Sequence, residues 1–175
     1  MRTPRRAARV AVRDADGAVF MFRYDNEEVG VHWALPGGGL DPGETPREGA
    51  GRELREETGW ADVEAGPLLC TWEHDYTRSG VPVRQHEHIF LGRGVRREPA
   101  EGVAAAHAED GILGWRWWSP GALAEAREAL WPPQLPELLA DVERSGGCRG
   151  VDLGYVPNGT RGGVTAPPED PCSFV

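Results

Sequence analysis

The stretch from Gly37 to Trp60, "GGGLDPGETPREGAGRELREETGW", constrains the fold more than any other part of the chain. Three consecutive glycines and a Pro42-Gly43 turn lead into Thr45-Pro46-Arg47-Glu48. That order has the form of a helix start, with an N-cap, a proline at the first helical position and a capping-box glutamate. The spacing predicts a helix from about Pro46 to Thr58 that stops at Gly59. On it Glu53, Glu56 and Glu57 stand at i, i+3 and i+4, so three carboxylates share a face, while Ala50 and Leu54 supply a core-facing side. Crowded carboxylates repel and raise one another's pKa unless a cation sits among them. Oxygen donors are what Mg2+ and Mn2+ prefer. The helix taken alone leaves open a solvated face, with Arg52 and Arg55 in surface ion pairs worth at most about 1 kcal/mol.

Around this helix the pattern alternates between strand and helix. "ARVAVRDADGAVFMFRYD" holds two β-rich runs about Asp14-Ala15-Asp16-Gly17, and "HWALP" is a short extended piece ending at Pro36. "DVEAGPLLCTWEHDY" and "VPVRQHEHIFLGRGV" flank Arg78-Ser79-Gly80 as a longer hairpin, and "GILGWRWWS" is a further strand. "PGALAEAREAL" and "QLPELLADVER" are predicted helices separated by "WPP". Mixed elements of this kind imply an α/β or α+β layered fold over residues 5–145. Residues 146–175 are rich in glycine and proline without periodicity and are predicted to form a flexible tail. The competing reading docks Val151, Leu153 and Tyr155 as an edge strand, or sends the tail to a partner subunit.

At 175 residues the chain fits one domain with a sizeable core. Its formal net charge of −9 argues against a nonspecific grip on nucleic acid polymers or anionic lipid. No stretch approaches the roughly 18 apolar residues of a membrane span, and the basic start lacks the apolar run of a secretory signal. Cys70, Cys148 and Cys172 show neither metal spacing nor a paired framework. Reduced thiols, a cytoplasmic location and a monomer or homodimer are the expectation.

Gly38, five residues, Glu44, seven residues, then Arg52-Glu53-Leu54-Arg55-Glu56-Glu57-Thr58-Gly59 resembles the Nudix box, G-x5-E-x7-R-E-U-x-E-E-x-G-U, where U is a bulky aliphatic. All seven fixed identities are present; Trp60 departs from the last aliphatic position and keeps its hydrophobic role. The preceding "HWALPGGG" also looks like the family's usual lead-in. The resemblance implies an α/β/α sandwich around a mixed sheet and a hydrolase that cleaves a nucleoside diphosphate linked to another group X. It also implies Mg2+ or Mn2+ held by Glu53, Glu56, Glu57 and the backbone carbonyl of Gly38, with Arg52 and Glu44 paired to lock the loop onto the helix and Gly59 closing it. The substrate would be a nucleotide-type small molecule. For the general base the candidates are Glu53 and, from a distal loop, Glu109, chosen over Glu98 and Glu101. The alternative function is a nucleotide-binding sensor without turnover.

Lesser features are weighed against blander readings. His86 and His88 share a strand face, with His74 placed opposite across the hairpin, so zinc is conceivable, but no fourth ligand is evident and plain polar positions suffice. Trp33 and Tyr76 are candidates to stack on a base. Trp115, Trp117 and Trp118 read mostly as core.

Overall fold

The computed structural model describes residues 1–157, except for the side chains of residues 104–106. The sheet is organised by β1 (Thr3–Arg13), whose run from Ala7 to Val12 is buried on both faces, as a near-continuous apolar strand must be at the centre of a sheet. It lies parallel to β6 (Val81–Arg93), in register from Thr3↔Val83 to Arg13↔Arg93. On its other side are β2 (Val19–Asn26) and β3 (Gly30–Ala34), with the short β4 (Gly37–Gly39) pairing back onto β1. Asp14 accepts from the N–H groups of Asp16 and Ala18 at 3.0 and 2.9 Å, which folds the β1–β2 turn, and Gly17 there has φ 83°.

The long hairpin is β5 (Leu68–Arg78) with β6, closed by Ser79 and Gly80 at φ 49° and 76°, the left-handed pair of a two-residue turn. One face of the sheet carries α1 (Pro46–Thr58), which seats Ala50 and Leu54 on Val10, Val12, Phe20 and Phe90. The box's departure, Trp60, is buried in this same layer, edge-on to Phe20 at 4.8 Å. The other face is covered by α4 (Leu135–Ser145), whose Leu135, Leu138 and Leu139 pack with Met21, Trp72 and Ile89. The result is a mixed sheet between helical layers, the α/β/α arrangement. No helix of the described residues is long and apolar enough to cross a membrane.

Three elements differ from the sequence reading. The helix expected over "PGALAEAREAL" stops early: α3 is Pro120–Ala124, and Ala129–Trp131 forms a strand, β8, parallel to β3. Burial decides this, because Leu130 and Trp131 fill the core only from the sheet edge, where Trp131 stacks on His32 at 3.7 Å between ring centroids. A short helix, α2 (Ala104–Glu109), precedes the tryptophan-rich strand β7 (Ile112–Trp118), which pairs with β2. The expectation of a tail without structure from residue 146 is corrected at its start. Val151–Tyr155 is a strand, β9, parallel to β5 at the sheet edge, and Val156 is buried in the core with its N–H on the Glu73 carbonyl at 2.8 Å. The remainder of the expected tail, 158–175, with Cys172, lies outside the described residues.

Candidate functional site

A cavity of about 410 Å3 opens where β1, β3, β4 and the tip of the long hairpin converge. The capping box of α1 is complete: Thr45 accepts from the N–H of Glu48, the Glu48 carboxylate accepts from the N–H of Thr45, and Gly59 ends the helix at φ 75°. This fixes where the acidic residues stand. Arg52 holds Glu44 through two parallel bonds, Nε to Oε1 at 2.8 Å and Nη2 to Oε2 at 3.0 Å, and its Nη2 also donates to the Gly39 carbonyl at 3.0 Å. That fork ties loop to helix and holds the Glu44 carboxyl down at about 2, chiefly through the Arg52 hydrogen bonds.

The glutamates of α1 do not point in one direction. Glu57 is buried, with Oε2 accepting from the N–H of Gly37 at 2.8 Å, and burial pushes its carboxyl up to about 8 against the pull of Arg9. Glu53 lies half-buried against Gly38, where a Cβ would come within 2.8 Å of its carboxyl group and push it aside; burial raises its carboxyl too. Glu56 is exposed and shares the Arg52 Nη1 with Glu53, at 3.2 and 3.0 Å. Among the described residues no three His, Cys, Asp or Glu side chains already surround a point where an ion would sit, because Arg52 draws two of the three carboxylates its own way. The donors are nonetheless of the right kind: Glu53, Glu57 and Gly38 border the cavity with hard oxygens, and Glu56 stands one helical turn from Arg52.

Glu109 ends α2 on the exposed rim of the cavity, beside Asp110. The helix is pinned there by His107, whose Nε2 meets the Glu57 carbonyl at 2.6 Å, and the loop leading into it by Ala100, whose N–H donates to Thr58 O at 2.8 Å. Asp110, which sequence reasoning passed over, has its carboxyl raised by burial and by the nearby Glu109 and Glu56, against Arg78. Tyr76 lines the cavity, with its hydroxyl donating to Gln85 Oε1 at 2.9 Å. Trp33 does not line it and is corrected to a core residue: it is buried edge-on to Trp118 at 5.0 Å, and its neighbour His32 takes the cavity side of β3. Strand alternation carried the signal, since consecutive residues must face opposite ways. The same rule separates the histidines. His74 is wholly buried beside Gln85 and Glu87, whereas His86 and His88 lie together on the opposite face, so the three do not form a zinc site.

Beneath the cavity runs a polar network that the sequence did not announce. Arg9 donates to Glu87 Oε1 at 2.7 Å and to the Leu35 carbonyl at 2.8 Å, and Trp72 Nε1 donates to Glu87 Oε2 at 2.8 Å. Burial opposes ionisation of Glu87, but Arg9, followed by His74, wins and holds its carboxyl well below the ordinary range. Gln85 bonds to the same carboxylate. The polar residues at positions 85 and 87 do not stand out in the sequence, because Arg84, His86 and His88 beside them on the same strand are polar too.

The model of the NUDIX domain matches residues 3–141. The chain is 34% identical over 148 residues to an uncharacterized Nudix hydrolase of Rhodococcus erythropolis, covering 77% of this chain and 75% of that one. It is also 34% identical over 132 residues to an RNA pyrophosphohydrolase of Erythrobacter litoralis, covering 68% and 78%. Among solved structures, a NUDIX hydrolase from Nitrosomonas europaea superimposes with a TM-score of 0.61 at 19% identity, covering 90% of this chain and 81% of that one, which is likeness of fold.

Proposed function

The chain belongs to the Nudix hydrolase family, as one of its pyrophosphohydrolases, and on that premise we propose that the 410 Å3 cavity is where a divalent-metal-dependent cleavage of a nucleoside diphosphate linked to another group takes place. The observation that carries this reading is the pair Glu53 and Glu57, set against Gly38 and Gly37 at the cavity wall with their carboxyls raised by burial. Two carboxyls held there at a cost in solvation gain most from a cation.

Mg2+ or Mn2+ is the proposed metal; when bound, it supplies charge neutralisation of the diphosphate oxygens and a lowered pKa for water. Glu53, Glu57 and the Gly38 carbonyl would hold it, with Glu56 joining on release from Arg52. Arg52 and Glu44 keep the glycine loop fixed on α1, so the backbone donor stays in place while Glu53 and Glu56 turn from Arg52 towards the cation. A water oxygen adds to one phosphorus of the diphosphate, the bridging P–O bond breaks, and the electron pair leaves with the departing phosphate. The water's proton goes to a cavity carboxylate, for which Glu53 and Glu109 are the candidates. The network under Arg9 holds the Leu35 and Gly37 carbonyls still while this happens.

Incubating the protein with Mg2+ or Mn2+ and a panel of nucleoside diphosphate derivatives tests the reading. Release of nucleoside monophosphate, abolished by chelation, is expected. Tight nucleotide binding with no release across the panel would favour a sensor instead.

A further inference from the structure

The cavity has a second, cationic side that the cleavage scheme leaves unused. Arg5, on β1, is half-buried with its guanidinium lying against Gly39, where a Cβ would come within 2.7 Å of Nη2. Its Nη1 donates to the Tyr76 hydroxyl at 3.1 Å and bonds to Gln85 Oε1, both neutral acceptors. Among the described residues no carboxylate lies within ion-pair distance of Arg5, and Nε and Nη2 have no acceptor. Other arginines withdrawn from solvent are matched: the buried Arg9 by Glu87, and the half-buried Arg13 by Glu143 and Arg52 by Glu44. Arg78 stands over the same cavity from the hairpin tip, exposed; among the described residues it makes no ion pair at contact distance, and the carboxylate it acts on is Asp110 across the cavity.

We propose that Arg5, with Arg78 above it, is a specificity site for an anionic group X, so that the enzyme selects nucleoside diphosphates extended by a further phosphate over those extended by a neutral sugar. The proposal rests on the pyrophosphohydrolase reading and adds the chemistry of X. Burial first, with Arg9 and Arg78 and against Tyr76 and Glu87, lowers the affinity of the Arg5 guanidinium for its proton, so a further negative charge beside it would be favourable. A phosphate supplies that charge and accepts from the fork in a bidentate manner, roughly twice as strongly as a neutral acceptor. The loop sets the spacing: Glu53 packs on Gly38 and Arg5 on Gly39, so the metal-binding and anion-binding sides are one residue apart. The cavity also carries Asp25 and Glu27 near the hairpin tip, so an anion entering without a metal meets net negative charge. The two cationic elements must therefore act together.

The test compares wild type, Arg5→Gln, Arg5→Lys and Arg78→Gln with Mg2+ on two substrates, a nucleoside triphosphate and a nucleoside diphosphate sugar. Wild type should favour the triphosphate. In Arg5→Gln the KM for the triphosphate should rise at least ten times more than the KM for the sugar, with kcat changed much less, and Arg5→Lys should recover part of the loss. Arg78→Gln, an exposed change that does not threaten folding, should show the same bias at about threefold. Equal losses on both substrates, or a wild type that favours the sugar, would overturn the proposal while leaving the hydrolase reading standing. If neither substrate is cleaved, calorimetry with inorganic tripolyphosphate decides about Arg5, and the wider panel decides about the hydrolase reading. Binding at least tenfold weaker in Arg5→Gln supports the site, and equal affinity overturns it.

Discussion

Arg9 and Glu87 form an ion pair sealed beneath the cavity, Nε to Oε1 at 2.7 Å, with the Glu87 side chain wholly buried. The pair does two jobs at once. It neutralises a carboxylate in the core, and its other nitrogen holds the carbonyls of Leu35 and Gly37 at the start of the glycine loop.

Removing one partner should therefore cost far more than removing both. Arg9→Met leaves Glu87 charged and unpaired and should lower stability by about 3–5 kcal/mol, whereas Arg9→Met with Glu87→Leu should regain much of that. Urea denaturation measures both. A single variant within 1 kcal/mol of wild type would show that the pair is not what holds the floor.

Glu56→Gln and Glu57→Gln should each lower turnover about 100-fold or more, roughly 2.7 kcal/mol of barrier. Without metal, Glu57→Gln should be at least as stable as wild type at neutral pH. Its buried carboxyl titrates at about 8 in the folded chain, above its ordinary 4.5. Unfolding therefore releases a proton between those values, and wild-type stability falls as pH rises through that window. Near-normal rates in both variants would place the metal elsewhere.

His32 gives a pH effect of opposite sign. Burial lowers its pKa from 6.5 to about 4, so the unfolded chain takes up a proton before the folded one does. The folded state keeps its full advantage above pH 6.5 and loses it as pH falls towards 4, by roughly 3 kcal/mol from this group. Comparing wild type with His32→Gln by thermal melts across pH 4–7 isolates the term. Parallel profiles would mean that His32 is solvated.

A chain ending at Arg144 should melt several degrees below one ending at Pro157. The shorter chain loses the β9 ladder, the bond from Cys148 to the Leu68 carbonyl and the buried Val156, and leaves β5 as a bare edge open to self-association. Scanning calorimetry with light scattering checks this, and equal melting temperatures would make β9 an ornament.

The helix from Pro46 to Thr58 could be read residue by residue because its signals are local: a cap, a proline, a capping box and a glycine stop. The β5–β6 turn was legible for the same reason. What escaped depends on partners distant in sequence. Ala129–Trp131 has helical composition, yet β3 and the core make it a strand. Val151–Tyr155, whose alternation offers an edge strand only as the competing reading, has little to bury, yet the free edge of β5 supplies its hydrogen bonds. In the site, acidic residues at helical spacing announce themselves, but their separate orientations follow from Arg52 and Gly37. The Arg9–Glu87 pair joins residues 78 apart and leaves no local trace.

The pairing of β4 with β1 has a consequence for how such a site can change. Ala7, Ala8 and Arg9 face Gly39, Gly38 and Gly37 in register, and a Cβ at Gly37 would strike the Ala8 carbonyl and lie 2.6 Å from Arg9 Cα. The loop is thus clamped to the strand that also carries the long parallel ladder with β6. New substrates cannot be accommodated by shifting the loop without breaking the middle of the sheet. Variation is instead left to the three turns that wall the cavity, at Asp25–Glu27, Thr77–Ser79 and Glu109–Gly111. These can lengthen, shorten or change charge while the cleavage machinery stays where it is, much as interchangeable jaws on a fixed vice.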